Sequence, residues 1–254
     1  MYFYRHMEAY VTHRQEGSCG ILEFGNPAGN SLPGKLLEEL HKKLHHLEED
    51  DQVAVIVLQS MGNRAFCGGA SFSEMKGLKT VEEATAFFMG FAKVINQIRN
   101  LSKFIIAQVQ GKVVGGGVGL VAACDYVIAH ESAGVKLSEL SIGIGPFVIE
   151  PAVSRKIGTT AFAQLSLEAE RFKSASWAEE KGLYSSVVSS EESLKKNVTE
   201  TALRLASYAP EAVKNLRKLH WKETDHWETL LPQNAEITAK LVLEEATQNI
   251  LKSL

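Results

Sequence analysis

Three consecutive glycines, Gly115-Gly116-Gly117, stand between two apolar runs of different character. Phe104 to Gln110 before them is mostly apolar and predicts a buried strand, while Val118 to Ala123 has no polar side chain and predicts the start of a buried helix. Glycines in series cost conformational entropy, so an ordered core holds them only for a steric reason. The reason this pattern suggests is close approach of a ligand to N–H groups at a helix start, which are unpaired and lie at the positive end of the helix dipole. Such a place suits an anion, or an oxygen that becomes anionic during a reaction. A second glycine turn, Gly68-Gly69-Ala70, lies within Arg64 to Phe72 after another strand-like run. Two such turns can aim two amides at one oxygen, an oxyanion hole in which one donor is worth ~3 kcal/mol of transition-state stabilisation. Each turn alone is equally well a tight turn with no ligand. The pair, after successive buried strands, favours a site.

The elements that must position these turns can be read in order. Ala9 to His13 and Cys19 to Phe24 flank a turn and predict a hairpin. After a loop from Gly25 to Ser31, Leu37, Leu40, Leu44 and Leu47 recur at helical spacing and predict an amphipathic helix from about Pro33. Val53 to Leu58 is apolar on both faces, as a buried parallel strand should be. A helix is predicted over about 81–100, with Phe87, Phe91, Val94 and Ile98 on one face, and strands over Tyr126 to Ala129 and near Val135 to Leu137. The alternation of strands and helices predicts an α/β core. From about Ser193 the pattern is wholly helical, with one helix opening at Pro210 and a last one over Asn234 to Leu251 that carries Ala239, Val242, Ala246 and Ile250 along one side.

With 254 residues the chain can bury a sizeable core. Its 27 Lys+Arg nearly balance 30 Asp+Glu, and no basic stripe suggests nucleic acid as a partner. No apolar run has the length of a membrane span, and Met1 to His6 lacks the apolar stretch of a signal peptide. Three scattered cysteines, Cys19, Cys67 and Cys124, form neither a disulfide framework nor a zinc motif. The expectation is a cytoplasmic protein without a membrane partner.

These motifs, over most of the chain from about residue 9 to 220, resemble the crotonase, or enoyl-CoA hydratase/isomerase, family. Ala65-Phe66-Cys67-Gly68-Gly69-Ala70 is similar to that family's first oxyanion segment, with the donor at Ala70. Gly115-Gly116-Gly117 followed by Ala123-Cys124-Asp125 is similar to the second, with the donor at Gly116. The resemblance implies an α/β crotonase-type spiral of ββα units over 1–192 and a helical, trimer-forming region over 193–254. It implies an acyl-CoA substrate whose thioester oxygen takes both hydrogen bonds, coenzyme A entering only as part of that substrate, no metal, and a homotrimer or dimer of trimers. It also implies that the loop from Pro27 to Asn30, with Ala28 and Asn30, and the segment from Ala65 to Ala70, with Phe66 and Gly69, cradle the CoA. Ser71, Phe72, Val114, Gly115, Gly119, Ser138, Pro146 and Phe147 are the further substrate-binding positions it suggests.

Family hydratases usually hold and activate water with two glutamates. One falls three residues after the middle glycine, where this chain has Gly119; the other is kept as Glu139 in Leu137 to Gly143. A loop glutamate among apolar neighbours has its ionised form disfavoured, which suits proton transfer near neutral pH; the plainer reading is an exposed loop carboxylate. Gly119 is expected to leave space beside the acyl chain. The run from Gly115 to Asp125 is similar to bacterial methylglutaconyl-CoA hydratase-like members. Phe147 stands where a small residue is common and suggests a reshaped pocket. Hydration of a branched or otherwise substituted enoyl-CoA is the first expectation and double-bond isomerisation the second. A decarboxylase and a non-catalytic acyl-CoA-binding module are the alternatives. Glu150 reads as a solvated helix-start residue rather than a second catalytic carboxylate.

Other motifs carry less. Gly117 to Ala122 matches G-x-G-x-x-A, but Lys112 to Gly115 separates it from the strand, so a dinucleotide turn is misplaced. Lys112 lacks the glycine spacing of a P-loop. His41, His45 and His46 lie among charges on a helix and read as a solvated face. Trp221 and Trp227 read as packing residues, and Cys67 as a small core filler.

Overall fold

The computed structural model describes residues 8–253; the Met1 to His6 stretch lies outside them. Strands β1 (Tyr10–Glu16) and β2 (Cys19–Gly25) form the hairpin, closed by Gly17, whose φ of 60° suits a two-residue turn. Helix α1 (Gly34–Glu49) buries Leu36, Leu37, Leu40, Leu44 and Leu47. Strand β3 (Val55–Ser60) starts two residues later than its apolar run, because Val53 turns in from Asp50 before pairing begins. Then come β4 (Ala65–Cys67), the single turn α2 (Phe72–Met75), the long α3 (Val81–Asn100) and β5 (Phe104–Val109). They are followed by β6 (Lys112–Val114), α4 (Gly116–Ala123), β7 (Tyr126–His130) and β8 (Val135–Lys136).

Five strands pair in parallel in the order β2-β3-β5-β7-β9, with β9 (Ser186–Val188) at one edge and β1 antiparallel at the other. Alternate residues face opposite sides, so a continuous apolar run fills two cores at once. Leu22, Ile56, Leu58, Ile105 and Ala107 face the main core, beneath α1, α3 and α4. Ile21, Val55, Val57 and Ile106 face a smaller one, covered by Leu194, Val198 and Ala202 of α7 (Glu191–Ala206).

The second sheet is small and was not legible as such: β4, β6 and β8 pair in parallel with β6 in the middle. Lys112–Val114 is thus a strand of its own, and the glycine cluster follows β6 rather than the longer β5.

Helical structure begins before residue 193, with α5 (Glu150–Leu167), bent at Gly158, and α6 (Ala175–Glu180). Beyond α7 lie α8 (Pro210–His220), α9 (Trp227–Val242) and α10 (Glu245–Ser253). The expected single last helix is therefore two, broken at Leu243-Glu244, and the break turns Ala246 and Ile250 outward. Trp227, Leu231, Ala235, Ala239 and Val242 of α9 join the main core against α3. Trp221 and Trp227 meet edge to face at 5.8 Å, a packing pair. Arg217 of α8, 1% exposed, donates to the carbonyls of Ile98, Leu101 and Lys103, and its Nε lies 3.4 Å from Asp125 Oδ2. It ties the end of α3 and the start of β5 to the loop that leaves α4. No helix among the described residues is long and apolar enough to cross a membrane.

Candidate active site

The three strands of the small sheet run in one direction, and each delivers one candidate residue just past its C-terminal end. Ala70 follows β4, Gly116 follows β6 and Glu139 follows β8. All three line one small cavity, part of it open to solvent. Gly69, Phe72, Gly115, Ser138 and Pro146 line it as well.

The two turns are pressed together. A Cβ on Gly69, whose φ is 88°, would lie 3.0 Å from the Val114 carbonyl oxygen and 3.8 Å from Gly115 Cα. The turn after β4 therefore rests on the end of β6, which brings Ala70 and Gly116 to the wall of the same cavity. Among the described residues neither amide N–H has a hydrogen-bond partner. Gly116 opens α4, so its N–H belongs to the set a helix cannot satisfy internally. Gly116 is buried and Ala70 half-buried; buried backbone donors are nearly always paired, so an idle one at a cavity wall is a feature to explain.

Glu139 lies beside them. Its Oε1 would be 3.0 Å from a Cβ on Gly115, and Gly115 holds φ 54°, a conformation that favours glycine in any case. Oε2 is sealed from solvent and has no partner. The Glu139 carbonyl accepts from the Ile142 and Ile144 amides, fixing the short 3-10 turn at Leu140–Ile142. Burial pushes the carboxyl up to about 7, its own backbone amide opposing. The rest of the wall is apolar, with Met75 from α2, Phe88 and Phe91 from α3, and Ile142, Ile144, Val148 and Ile149 from the loop into α5; α9 adds Thr238.

Several expectations need correcting. Gly119 opens no space: a Cβ there would meet Ile149 Cγ2 at 2.4 Å and Ile95 Cδ1 at 3.3 Å, so the gap is filled by Ile149 and the residue lies outside the cavity. Gly116 and Gly117 are likewise small because protein packs against them: added Cβ atoms would fall 2.3 Å from the Phe91 ring and 2.6 Å from Cys67 Cβ. Phe147 does not shape the cavity, because its ring folds over Gly145 while its neighbours Pro146 and Val148 do the lining. Phe66 is fully buried against Phe24 and out of reach of a ligand.

The remaining positions lie around the cavity rather than on it. Asn30 is buried at φ 56°; its Nδ2 donates to the Met61 and Ala65 carbonyls, and its Oδ1 accepts from the Asn26 amide, so its side chain braces loops. Ala28 is exposed on that loop, and Ala65 opens β4. The loop does adjoin the first turn: Leu32 N–H donates to the Gly69 carbonyl and Ser71 N–H to the Leu32 carbonyl. Ser71 caps α2 with its hydroxyl. Val114 is half-buried and meets the site through its carbonyl's contact with the Gly69 turn. Cys67 is fully buried, its thiol pushed up to about 12 by burial, which leaves it an inert filler. Glu150 opens α5, half-buried. Reading the sequence missed Phe88, Ile149 and Thr238. Phe88 lies off the face that Phe87 and Phe91 mark, and the other two come from loop and tail segments whose placement no periodicity reveals.

Comparison with known proteins assigns the arrangement to a class. The family model described as enoyl-CoA hydratase/isomerase matches residues 14–252. The chain is 33% identical over 206 residues to a short-chain-enoyl-CoA hydratase of Clostridium acetobutylicum, covering 80% of this chain and 78% of that one. It is 36% identical over 142 residues to the mitochondrial methylglutaconyl-CoA hydratase of Rattus norvegicus, covering 55% of this chain and 45% of that one. The crystal structure of an enoyl-CoA hydratase from Bacillus halodurans superposes with a TM-score of 0.90 at 19% identity, covering 96% of this chain and all of that one. The fold is that of the crotonases. The chain belongs to the enoyl-CoA hydratase/isomerase family and is an enzyme of that class.

Two outcomes follow from the packing and the buried acid. Gly119→Ala should destabilise the fold by about 1–3 kcal/mol through overpacking against Ile149, and Ile149→Ala in the same chain should recover part of it; chemical denaturation of the three proteins checks this. Glu139 titrates above its unfolded value of 4.5, so the folded state is favoured below that pH and loses the advantage as pH rises through about 7. Glu139→Gln should therefore be more stable than the parent above pH 7, by roughly 3 kcal/mol for a shift of this size, with the gap closing toward pH 4.5. Equal stability of the two proteins at pH 8 would contradict a buried carboxylate.

Proposed function

We propose that the cavity binds an enoyl-CoA with its thioester oxygen between the Ala70 and Gly116 amides and Glu139 as the acid–base group, and that the enzyme hydrates the double bond. The observation that carries this reading is the Glu139 carboxyl, with Oε2 sealed and unpartnered, beside two unpaired amides in one cavity. Ionised Glu139 takes a proton from water as the water oxygen bonds to C3. The π electrons move toward the thioester oxygen, where the two amides and the α4 N-terminus stabilise the enolate. Glu139 then returns the proton to C2, and the carboxylate is regenerated. A carboxyl poised near pH 7 supplies both forms, which general acid–base catalysis needs. The loop from Pro27 to Asn30, which adjoins the first turn, is assigned to the CoA moiety.

A second reading, double-bond isomerisation, has its own support. Glu139 is the one carboxylate among the residues that line the cavity, and Ile149 occupies the space beside Gly119. A single carboxylate that moves a proton between C4 and C2 of a 3-enoyl thioester needs no second group to hold water.

Incubation of an enoyl-CoA panel in isotopically heavy water, followed by mass spectrometry, separates the two. Added labelled water is expected on the hydration reading; deuterium without added oxygen would replace it with isomerisation. Glu139→Gln should lower turnover about 10³-fold while CoA-thioester affinity stays within a few fold. A variant that turns over like the parent would remove Glu139 from the mechanism.

The same reading takes the enzyme as a trimer or dimer of trimers. Leu203, Leu216, Leu219 and Ile237, all on the helical segments and all more than 40% exposed, supply apolar surface for such contacts. Sedimentation should give three or six chains per particle, and a monomer at micromolar concentration would reject the assembly.

A further inference from the structure

The chemistry at one end of the cavity leaves open what the acyl chain carries at the other. The wall answers this by its composition. Met75, Phe88, Phe91, Ile142, Val148 and Ile149 are hydrocarbon or thioether surfaces, and no lysine, arginine or histidine of the described residues lines the cavity. Its polar side chains are Glu139 and the hydroxyls of Ser138 and Thr238. Thr238 Oγ1 already donates its proton to the Asn234 carbonyl at 2.8 Å, so it has only lone pairs to offer. The two cations on the strands that lead to the site are turned elsewhere. Lys112 and Lys136 place their ammonium groups 5.0 and 4.9 Å from the centroid of the Phe172 ring, and Phe172 is not part of the wall.

We propose that this cavity selects an acyl chain with an uncharged, apolar end and rejects one that ends in a second carboxylate, 3-methylglutaconyl thioesters included. The inference rests on the acyl-CoA reading above. It parts this chain from relatives named for methylglutaconyl-CoA, whose likeness to it covers 55% of its length. A carboxylate buried among these residues would lose its hydration without gaining a cation. It would also share the cavity with Glu139, and two carboxylates in one small, largely apolar cavity oppose each other's ionisation. An apolar end, by contrast, gains from burial against the side chains of α3 and of the loop into α5.

The test uses saturated thioesters that cannot react, so that affinity is read apart from turnover. Calorimetric titration of the full chain at pH 8 with butyryl-CoA and glutaryl-CoA should show butyryl-CoA binding at least about 100-fold more tightly, several kcal/mol of unpaired-ion burial being tenfold for each 1.4. The gap should narrow as pH falls toward the glutaryl carboxyl's own range. Crotonyl-CoA and 3-methylglutaconyl-CoA should show the same order in kcat/KM. If glutaryl-CoA binds as tightly as butyryl-CoA, or 3-methylglutaconyl-CoA is turned over as well as crotonyl-CoA, the selection proposed here is wrong while the acyl-CoA reading stands. If neither thioester binds more tightly than free CoA, the acyl cavity itself is misassigned and the selection falls with it.

Discussion

Parallel pairing of β4, β6 and β8 is the constraint on which the rest of the site depends. Each strand has only two or three residues, too few for independent stability, yet together they fix three chain segments side by side and aim them the same way. Ligands in open parallel α/β sheets gather beyond the carboxyl ends of strands, because loops diverge there and backbone groups go unpaired. Here the three loops carry two amides and one carboxyl. Val114 and Gly69 do the final alignment, since the carbonyl of one leaves no room for a side chain on the other.

The buried helix α4 shows how packing and chemistry share residues. It has no polar face, so it is stable only when enclosed on every side. Enclosure brings Phe91, Cys67 and Ile149 within van der Waals range of its axis, and each approach removes a side chain: at Gly116, Gly117 and Gly119 respectively. The close packing that holds the helix also leaves its first N–H at the cavity wall. The glycines thus have a steric explanation from the protein alone at three positions, and only Gly115, with its φ of 54° against Glu139, answers directly to the site.

Much of this was legible in the chain and some was not, for identifiable reasons. Long periodic segments read well: Leu37 to Leu47 gave α1, and Phe87 to Ile98 gave α3 to the residue. The second sheet escaped because three-residue strands have no period to detect, and Lys112-Val113-Val114 reads as a spacer. The glycine turns and the family resemblance pointed to Ala70, Gly116 and Glu139, but they could not say what fills the gap at Gly119. Ile149 is 30 residues away and on a different element, so only tertiary structure makes it a neighbour. Phe147 misled for the opposite reason. A large residue next to a pocket segment suggests a wall, whereas its ring found Gly145 beside it and folded back.

The helical tail also bears on the site, because it closes part of the cavity wall. Asn234 of α9 donates to the Phe147 carbonyl at 2.8 Å, and one turn later Thr238 reaches the wall. The first contact ties α9 to the loop from Ile144 to Ile149, which lines the cavity together with Phe88, Phe91 and Glu139. Apolar side chains around Glu139 withhold hydration from the ionised carboxylate, which lifts its proton affinity toward neutrality. Through the loop that it braces, α9 therefore helps to set the proton affinity of Glu139.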